Sequence, residues 1–154
     1  MSVRAARFPE DAQAVVEIFR EYVHSPSVDL GFQGFEEEFA NLPGPYALPD
    51  GGLFLAWFDE RVVGCAAFRK VDSTTCEMKR VYVRPAARGT GLGRQLVERV
   101  LLGAREAGYT RICLDVLPEF VAAQQLYAAL GFKPAPAVAF NPVAGTQFLG
   151  LDLV

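Results

Sequence analysis

The sequence predicts one α/β domain (α+β by some schemes) built on a mixed, mostly antiparallel sheet of about seven strands. Three strand-like segments joined by tight turns lie between Leu53 and Val83, which is typical of an antiparallel meander. Strand-like and helix-like segments then alternate between Cys76 and Leu130, which is typical of a β-α-β unit with parallel strands. The length of 154 residues fits a single domain, 1–154.

The N-terminal third predicts a strand followed by two helices. Ser2 to Arg7 alternates weakly, and Pro9-Glu10-Asp11 supplies a helix start from which apolar residues recur at helical spacing to about Val23. Between Asp29 and Leu42, phenylalanines three and four residues apart predict a second short helix. Its acidic run, Glu36 to Glu38, is interpreted as a solvated face, and attraction of a cationic amine is the alternative.

The rest of the chain predicts three strands, a helix, a strand, a helix and two strands. In the first of these helices, Leu92, Leu96 and Val100 share one face, and Gly108 ends it. Gly131 fits a glycine cap after the second helix, with an apolar residue packing back. The predicted segments are Leu53–Phe58, Val62–Lys70, Cys76–Val83, a helix from Gly91 to Ala107, Arg111–Leu117, a helix at Phe120–Leu130, Ala137–Phe140 and Gln147–Leu153.

Composition narrows the classes of partner. A net charge of −3 and a pI near 5.2 argue against nucleic acid and anionic membranes as partners. No apolar run reaches the roughly 18 residues that a membrane span needs. The odd cysteine count (Cys65, Cys76, Cys113) without a signal peptide predicts free thiols and a cytoplasmic location. His24 is the only histidine, so we expect no metal.

One stretch suggests the chemistry. The apolar segment Val81 to Val83 runs into a glycine-rich turn, Arg88 to Arg94, where a long helix begins. Because the first N–H groups of a helix lack partners and carry partial positive charge, this turn is predicted to hold a pyrophosphate. Six basic residues stand here against Glu98, although a solvated, arginine-rich helix start is the alternative. They are Lys79, Arg80, Arg84, Arg88, Arg94 and Arg99.

Two other nucleotide motifs are tested against the same turn. A P-loop requires a lysine after its last glycine, and none follows here. A dinucleotide fingerprint starting at Gly89 requires glycine where Arg94 stands, although Asp115 supplies an acid about twenty residues on. The hairpins upstream argue against a dinucleotide fingerprint, because in a dinucleotide-binding domain the glycine turn follows the first strand.

The segments Val81-Tyr82-Val83-Arg84-Pro85 and Arg88-Gly89-Thr90-Gly91-Leu92-Gly93 resemble the acetyl-coenzyme A loop of the GNAT N-acetyltransferases. Leu126 to Phe132 is similar to the L-Y-x-x-x-G-F segment of the same family. The resemblance implies the GNAT fold with helices on both faces of the sheet. It also implies transfer of acetyl from acetyl-CoA to a primary amine of a small molecule or peptide, by direct attack in a ternary complex. A non-catalytic CoA-binding regulatory module is the alternative from another class.

The resemblance assigns roles to individual residues. Tyr127 matches the tyrosine that protonates the departing thiolate, although it is also an ordinary apolar-face position of its helix. Phe120 stands where relatives often have a cofactor-binding asparagine, so with Glu119 and Gln124 nearby that contact is missing or replaced. The implied cofactor-binding residues are Val81, Tyr82, Val83, Arg88, Gly89, Thr90, Gly91, Leu92, Gly93, Arg94 and Tyr127.

The general base and the acceptor site stay open. Glu77 occupies a place where many relatives keep a catalytic glutamate, but it shares a strand face with Lys79 and is equally placed for an ion pair. Asp115 is the other candidate for the general base. The third possibility is that neither carboxylate acts as the base. The expected acceptor-binding residues are Phe32, Gln33, Tyr46, Glu77 and Asn141. A monomer and a homodimer are both compatible with the sequence.

Overall fold

The computed structural model describes residues 1–153, and within them the helices and strands follow in the predicted order. Short 3-10 turns lie at Gly31–Gln33, Gly44–Tyr46 and Pro85–Ala87. The elements are β1 (Ser2–Ala5), α1 (Ala12–Val23), α2 (Phe35–Ala40), β2 (Gly52–Phe58), β3 (Arg61–Lys70), β4 (Thr75–Val83), α3 (Leu92–Glu106), β5 (Arg111–Val116), α4 (Val121–Ala129), β6 (Lys133–Pro134) and β7 (Gln147–Asp152).

The strands of this part of the chain form a seven-stranded sheet in the order β1-β2-β3-β4-β5-β7-β6. Strands β1 to β4 pair antiparallel, and β7 pairs antiparallel with both β5 and β6. The pair β4–β5 is parallel, and α3 connects its two strands. The predicted mixed sheet with a β-α-β unit is therefore confirmed.

Helices pack on both faces of the sheet, because alternate strand residues point to opposite sides. In β3, Cys65 and Ala67 belong to the core under α1 and α2, whereas Ala66 and Phe68 belong to the core under α3 and α4. Fully buried positions of α1 (Val15, Ile18, Phe19) and of α3 (Leu96, Val97, Val100) supply the helical half of the two cores.

The end of α4 is fixed by a Schellman cap. The N–H of Phe132 donates to the carbonyl of Tyr127 at 3.0 Å, and the N–H of Gly131 donates to Ala128 at 3.1 Å. Gly131 adopts φ 97°, a backbone conformation that is unfavourable for any residue with a side chain. The Phe132 ring packs 5.6 Å from that of Tyr127, so the predicted cap also holds Tyr127 in place.

The predicted strand at Ala137–Phe140 is wrong. The sixth strand is Lys133–Pro134, which pairs with β7, and the N–H of Ala135 extends this contact by donating to Phe148 at 2.8 Å. The chain reaches β7 directly after the glycine cap, and Pro136 has no N–H with which to continue the ladder. The apolar residues that suggested a strand lie outside the sheet in the loop before β7.

The second helix is also shorter than predicted. It spans Phe35–Ala40 rather than Asp29–Leu42, because Gly34 adopts φ 66° and separates it from the 3-10 turn Gly31–Gln33. A left-handed residue cannot continue a right-handed helix.

The three cysteines are buried free thiols. Within residues 1–153, no helix combines the length and apolar character needed to cross a membrane. The same residues hold no cluster of three or more histidine, cysteine or acidic side chains that could bind a metal ion.

Candidate functional site

Strands β4 and β5 separate partway along their length. Their parallel pairing covers three residue pairs and ends at Glu77–Cys113, although β4 continues to Val83 and β5 to Val116. Beyond that pair, backbone groups on the facing edges are available to another extended chain. Two clefts open at this gap and adjoin at Tyr127.

A bulge in β4 lies at the gap. The register between β3 and β4 shifts between Cys65 and Ala67, because β4 carries one extra residue near Arg80. Arg80 has φ 61°, which is uncommon for a residue other than glycine and marks local strain. The next residue, Val81, lines both clefts.

The glycine turn presents unpaired amides at the start of α3. Gly89 and Gly91 have φ 79° and 80°, and the space where a Cβ would stand is open at both. From Gly89 to Arg94, no N–H donates to a backbone carbonyl of the described residues. The N–H of Arg88 is bonded to Pro85 at 3.3 Å, so the free amides begin one residue later than predicted.

Side chains hold this turn in shape. The Thr90 hydroxyl donates to the carbonyl of Ala87 at 2.7 Å, and Nε of Arg88 donates to Val83 at 2.9 Å. No acidic residue stands in the first turn of α3, so nothing there neutralises the positive helix end. The arrangement therefore offers preformed N–H donors for a phosphate group.

The outer cleft is the space of about 450 Å³ between β4, the glycine turn and α4. It has the free amides at one end and apolar side chains along its length, which fits a ligand with a phosphate end and an extended arm. Its lining includes Val81, Tyr82, Val83, Arg88, Gly89, Gly91, Leu92, Gly93, Phe120, Leu126 and Tyr127.

Most of the predicted basic island is neutralised. Ion pairs join Arg80 to Glu38 at 3.0 Å, Arg84 to Glu21 at 3.2 Å, Arg94 to Glu98 at 3.7 Å and Arg99 to Glu106 at 3.7 Å. Lys79 and Arg88 have no such partner among the described residues, and Arg88 lines the outer cleft. Attraction for phosphate thus rests on the amides and Arg88 rather than on six cations.

Tyr127 stands where the two clefts meet. It lines both of them, although only 5% of the residue is exposed. Burial raises the pKa of its phenol, and the negative charge of Asp115 acts in the same direction. The phenol is therefore a neutral proton donor at physiological pH.

The inner cleft lies between the separated ends of β4 and β5 and has a volume of about 40 Å³. Of the predicted catalytic and acceptor-binding residues, Gln33, Asp115 and Asn141 line it together with Tyr127. Asp115 accepts a hydrogen bond from Nδ2 of Asn141 at 3.3 Å. Other lining residues are Tyr22, Leu30, Met78, Lys79, Arg80, Val81, Leu114, Val116, Leu117, Phe120 and Ala123.

Glu77 lies elsewhere. It is 1% exposed and lines neither cleft, and its carboxylate accepts from Arg69, with Nη2 at 2.7 Å and Nε at 2.9 Å. The ion pair considered with Lys79 is therefore made with Arg69 instead. Burial lowers the pKa of Lys79, and the nearby charge of Glu77 opposes that shift.

The other two predicted acceptor residues, Phe32 and Tyr46, do not line the inner cleft. Phe32 packs edge-on against Phe140 with ring centroids 6.1 Å apart, and the residues that follow these two, Gln33 and Asn141, line the inner cleft. Tyr46 belongs to the core under α1 and lines neither of these clefts. Its hydroxyl has no hydrogen-bond partner among the described residues, and burial raises its pKa.

An apolar residue stands at the position of the family asparagine. Phe120 lines both clefts. The carboxylate of Glu119 is bonded to the Ser27 hydroxyl at 2.9 Å, and Nε2 of Gln124 donates to the carbonyls of Leu117 and Pro118. Both side chains are thus hydrogen-bonded within the protein, and of the two only Glu119 also lines the outer cleft.

A buried ion pair next to the inner cleft was missed from the sequence. Arg80 bonds both oxygens of Glu38 at 3.0 Å and also contacts Gln33. The prediction of a solvated face is therefore wrong for Glu38, whereas Glu36 and Glu37 are exposed as predicted, and Glu36 pairs with Arg20 at the surface. An arginine in a strand with predicted strands on both sides is the signal that could have predicted a carboxylate partner.

Comparisons with known proteins agree with this geometry. The model of the Acetyltransferase (GNAT) family matches residues 13–132. An uncharacterized N-acetyltransferase of Schizosaccharomyces pombe is 33% identical, with 99% of this chain and 95% of that protein covered.

Solved structures show the same fold. A GNAT-family acetyltransferase from Staphylococcus aureus Mu50 superposes with a TM-score of 0.82 at 18% identity, covering 99% of both chains. The structure of yncA from Salmonella typhimurium with its cofactor acetyl-CoA has a TM-score of 0.70 at 26% identity, covering 99% of this chain and 94% of that one.

Proposed function

The chain belongs to the GNAT family of N-acetyltransferases, and on that premise we propose that it transfers acetyl from acetyl-CoA to a primary amine by direct attack in a ternary complex. The supporting observation is that the two clefts adjoin at Tyr127, in the gap between β4 and β5. One cleft fits the donor, and the other brings an acceptor to the same point.

The donor side is built from backbone groups. The amides from Gly89 to Arg94 bind the pyrophosphate. The edge of β4 from Val81 to Val83, where the Val83 carbonyl already accepts from Arg88, hydrogen-bonds the extended arm through its remaining groups. Acetyl-CoA supplies an activated thioester carbonyl. An N–H donor of β4 polarises that carbonyl, whose oxygen gains negative charge as the amine attacks.

The proton balance assigns work to two side chains. The acceptor ammonium loses one proton before attack and a second afterwards, while the new C–N bond replaces the C–S bond. Tyr127 donates its phenolic proton to the departing sulfur and is reprotonated, so one proton reaches the thiol and one reaches solvent. A group at the inner cleft takes the first proton directly or through water.

Asp115 is the better base. It lines the inner cleft with Tyr127, whereas Glu77 is buried against Arg69 outside both clefts. Among the described residues, no cysteine lines either cleft, which favours direct attack over a covalent acyl-enzyme.

Two measurements test the proposal. Acetyl-CoA should raise the melting temperature while NAD leaves it unchanged, and the reverse pattern would contradict the donor assignment. Release of free thiol should then depend on added amine across a panel of amino acids, polyamines, peptides and simple amines. Tight binding of acetyl-CoA without turnover on any amine would favour a CoA-binding regulatory module.

A further inference from the structure

The inner cleft contains two side chains of opposite charge that have no ion-pair partner. Lys79 and Asp115 both line it. Among the described residues, neither side chain has an oppositely charged group within 4.0 Å, the limit for an ion pair. Within residues 1–153, the Asp115 side chain has a single hydrogen bond, which it accepts from Asn141 at 3.3 Å.

The other charges around the cleft are already matched. Arg80 is held by both oxygens of Glu38, and Glu77 is held by Arg69. These pairs leave one ammonium and one carboxylate with unused capacity, both facing the same small space. Keeping two half-buried charges apart without partners is costly, so they are poised for a ligand that satisfies both.

Strand register places these two side chains at the same level. The last parallel pair is Glu77–Cys113, and Lys79 and Asp115 each follow two residues later on their own strand. Side chains two residues apart share a strand face, so both project to the face of that last pair. The bulge at Arg80 comes only after Lys79 and does not disturb this equivalence. The two charges therefore stand opposite each other across diverging strands.

We propose that the acceptor is a free amino acid or a similarly compact amino carboxylate. Its carboxylate binds the Lys79 ammonium and its amine faces Asp115, next to Tyr127 at the junction with the outer cleft. This inference rests on the proposed function and names the acceptor class of that site. It excludes polyamines, which carry no carboxylate, and peptide N-termini, whose neighbouring carboxyl group is an amide.

The surroundings favour a compact acceptor of this kind. The inner cleft is small, and the Phe32–Phe140 contact links the two loops that supply Gln33 and Asn141 to it. Burial lowers the pKa of Lys79, and a bound carboxylate would counteract that effect by favouring its charged form. A charge-assisted hydrogen bond in such a site changes affinity by roughly ten- to a hundredfold.

The test compares matched acceptors. Glycine, alanine, methionine and phenylalanine are each assayed beside the corresponding amide and the decarboxylated amine, by thiol release at one pH. We expect at least one amino acid to exceed its analogues without a carboxylate in kcat/KM by about tenfold or more. Lys79→Met should lower that ratio by about tenfold. Comparing this ratio between the wild type and Lys79→Met cancels differences in intrinsic amine reactivity, because both enzymes are assayed with the same substrates.

Two further variants complete the design. Lys70→Met makes the same substitution at an exposed lysine at the end of β3 and should leave the ratio unchanged. Lys79→Glu should turn the preference towards diamines, which offer a second cation. Circular dichroism and the melting temperature verify that each variant is folded.

The outcomes separate the two proposals. Turnover of simple amines as efficient as that of amino acids, or a preference that survives Lys79→Met, would refute the acceptor class while acetyl transfer stands. The absence of turnover on every amine and amino acid would instead refute the proposed function.

Discussion

Replacing Gly93 by alanine should make the protein more stable and its cofactor binding weaker. Gly93 is the second residue of α3, and an added Cβ would lie 3.8 Å from Leu126 and 3.9 Å from Val83, which are ordinary contact distances. Alanine in a helix is favoured over glycine by about 0.5–1 kcal/mol. For a domain of this size, the melting temperature should rise by roughly 1–4 °C.

The same methyl group would occupy part of the outer cleft. Gly93, Leu126 and Val83 all line it, and Gly93 lies among the amides assigned to the pyrophosphate. We expect the Kd for coenzyme A to rise by about tenfold, which corresponds to ~1.4 kcal/mol. Differential scanning calorimetry of the ligand-free protein and isothermal titration with coenzyme A measure the two effects separately.

Gly91→Ala is the contrasting variant. Open space surrounds its Cβ position, but its φ of 80° is left-handed. Alanine in that conformation should lower the free energy of unfolding by about 1–2 kcal/mol, so this variant should melt at a lower temperature than the wild type. A lower melting temperature for Gly93→Ala would contradict the packing argument. An unchanged Kd for coenzyme A in Gly93→Ala would contradict the phosphate assignment.

Three further sets of variants test the site. Tyr127→Phe should lower kcat by about a hundredfold with the Kd for coenzyme A retained; unchanged turnover would make Tyr127 a packing residue. Asp115→Asn should reduce kcat/KM by about a hundredfold, whereas Glu77→Gln should mainly lower the melting temperature, and the opposite pattern would return the base to Glu77. Arg80→Met should cost about 3–5 kcal/mol of unfolding free energy, and pairing it with Glu38→Leu should restore much of that loss. Equal urea midpoints for Arg80→Met and the wild type would show that this ion pair is dispensable.

Features encoded over short stretches were predictable from the sequence. The glycine turn precedes α3, and the helix cap at Gly131 follows from one glycine and one apolar residue. The strands of the sheet and the β-α-β unit were predictable from alternating and helical periodicities, because these patterns depend only on residues close together in the sequence. Asp115 was one of two candidate bases from the sequence; the structure places it at the inner cleft with Asn141 and Tyr127, and its role stays a prediction.

Features that depend on distant partners were not predictable. Arg80 and Glu38 are separated by 42 residues and meet only when α2 packs over β4. Tyr46 was expected in the acceptor pocket, but its ring fills the core under α1. The opposition of Lys79 and Asp115 depends on where the β4–β5 ladder stops, which no local pattern specifies.

The short ladder between β4 and β5 limits the backbone contact between two groups of strands, although the core under α3 and α4 spans both groups. β1 to β4 form one, and β5, β7 and β6 form the other, with three residue pairs joining their strands. A donor bound along the free edge of β4 and contacting α4 would bridge the two groups beyond the end of their ladder, so saturation with donor and rigidity of the sheet should rise together.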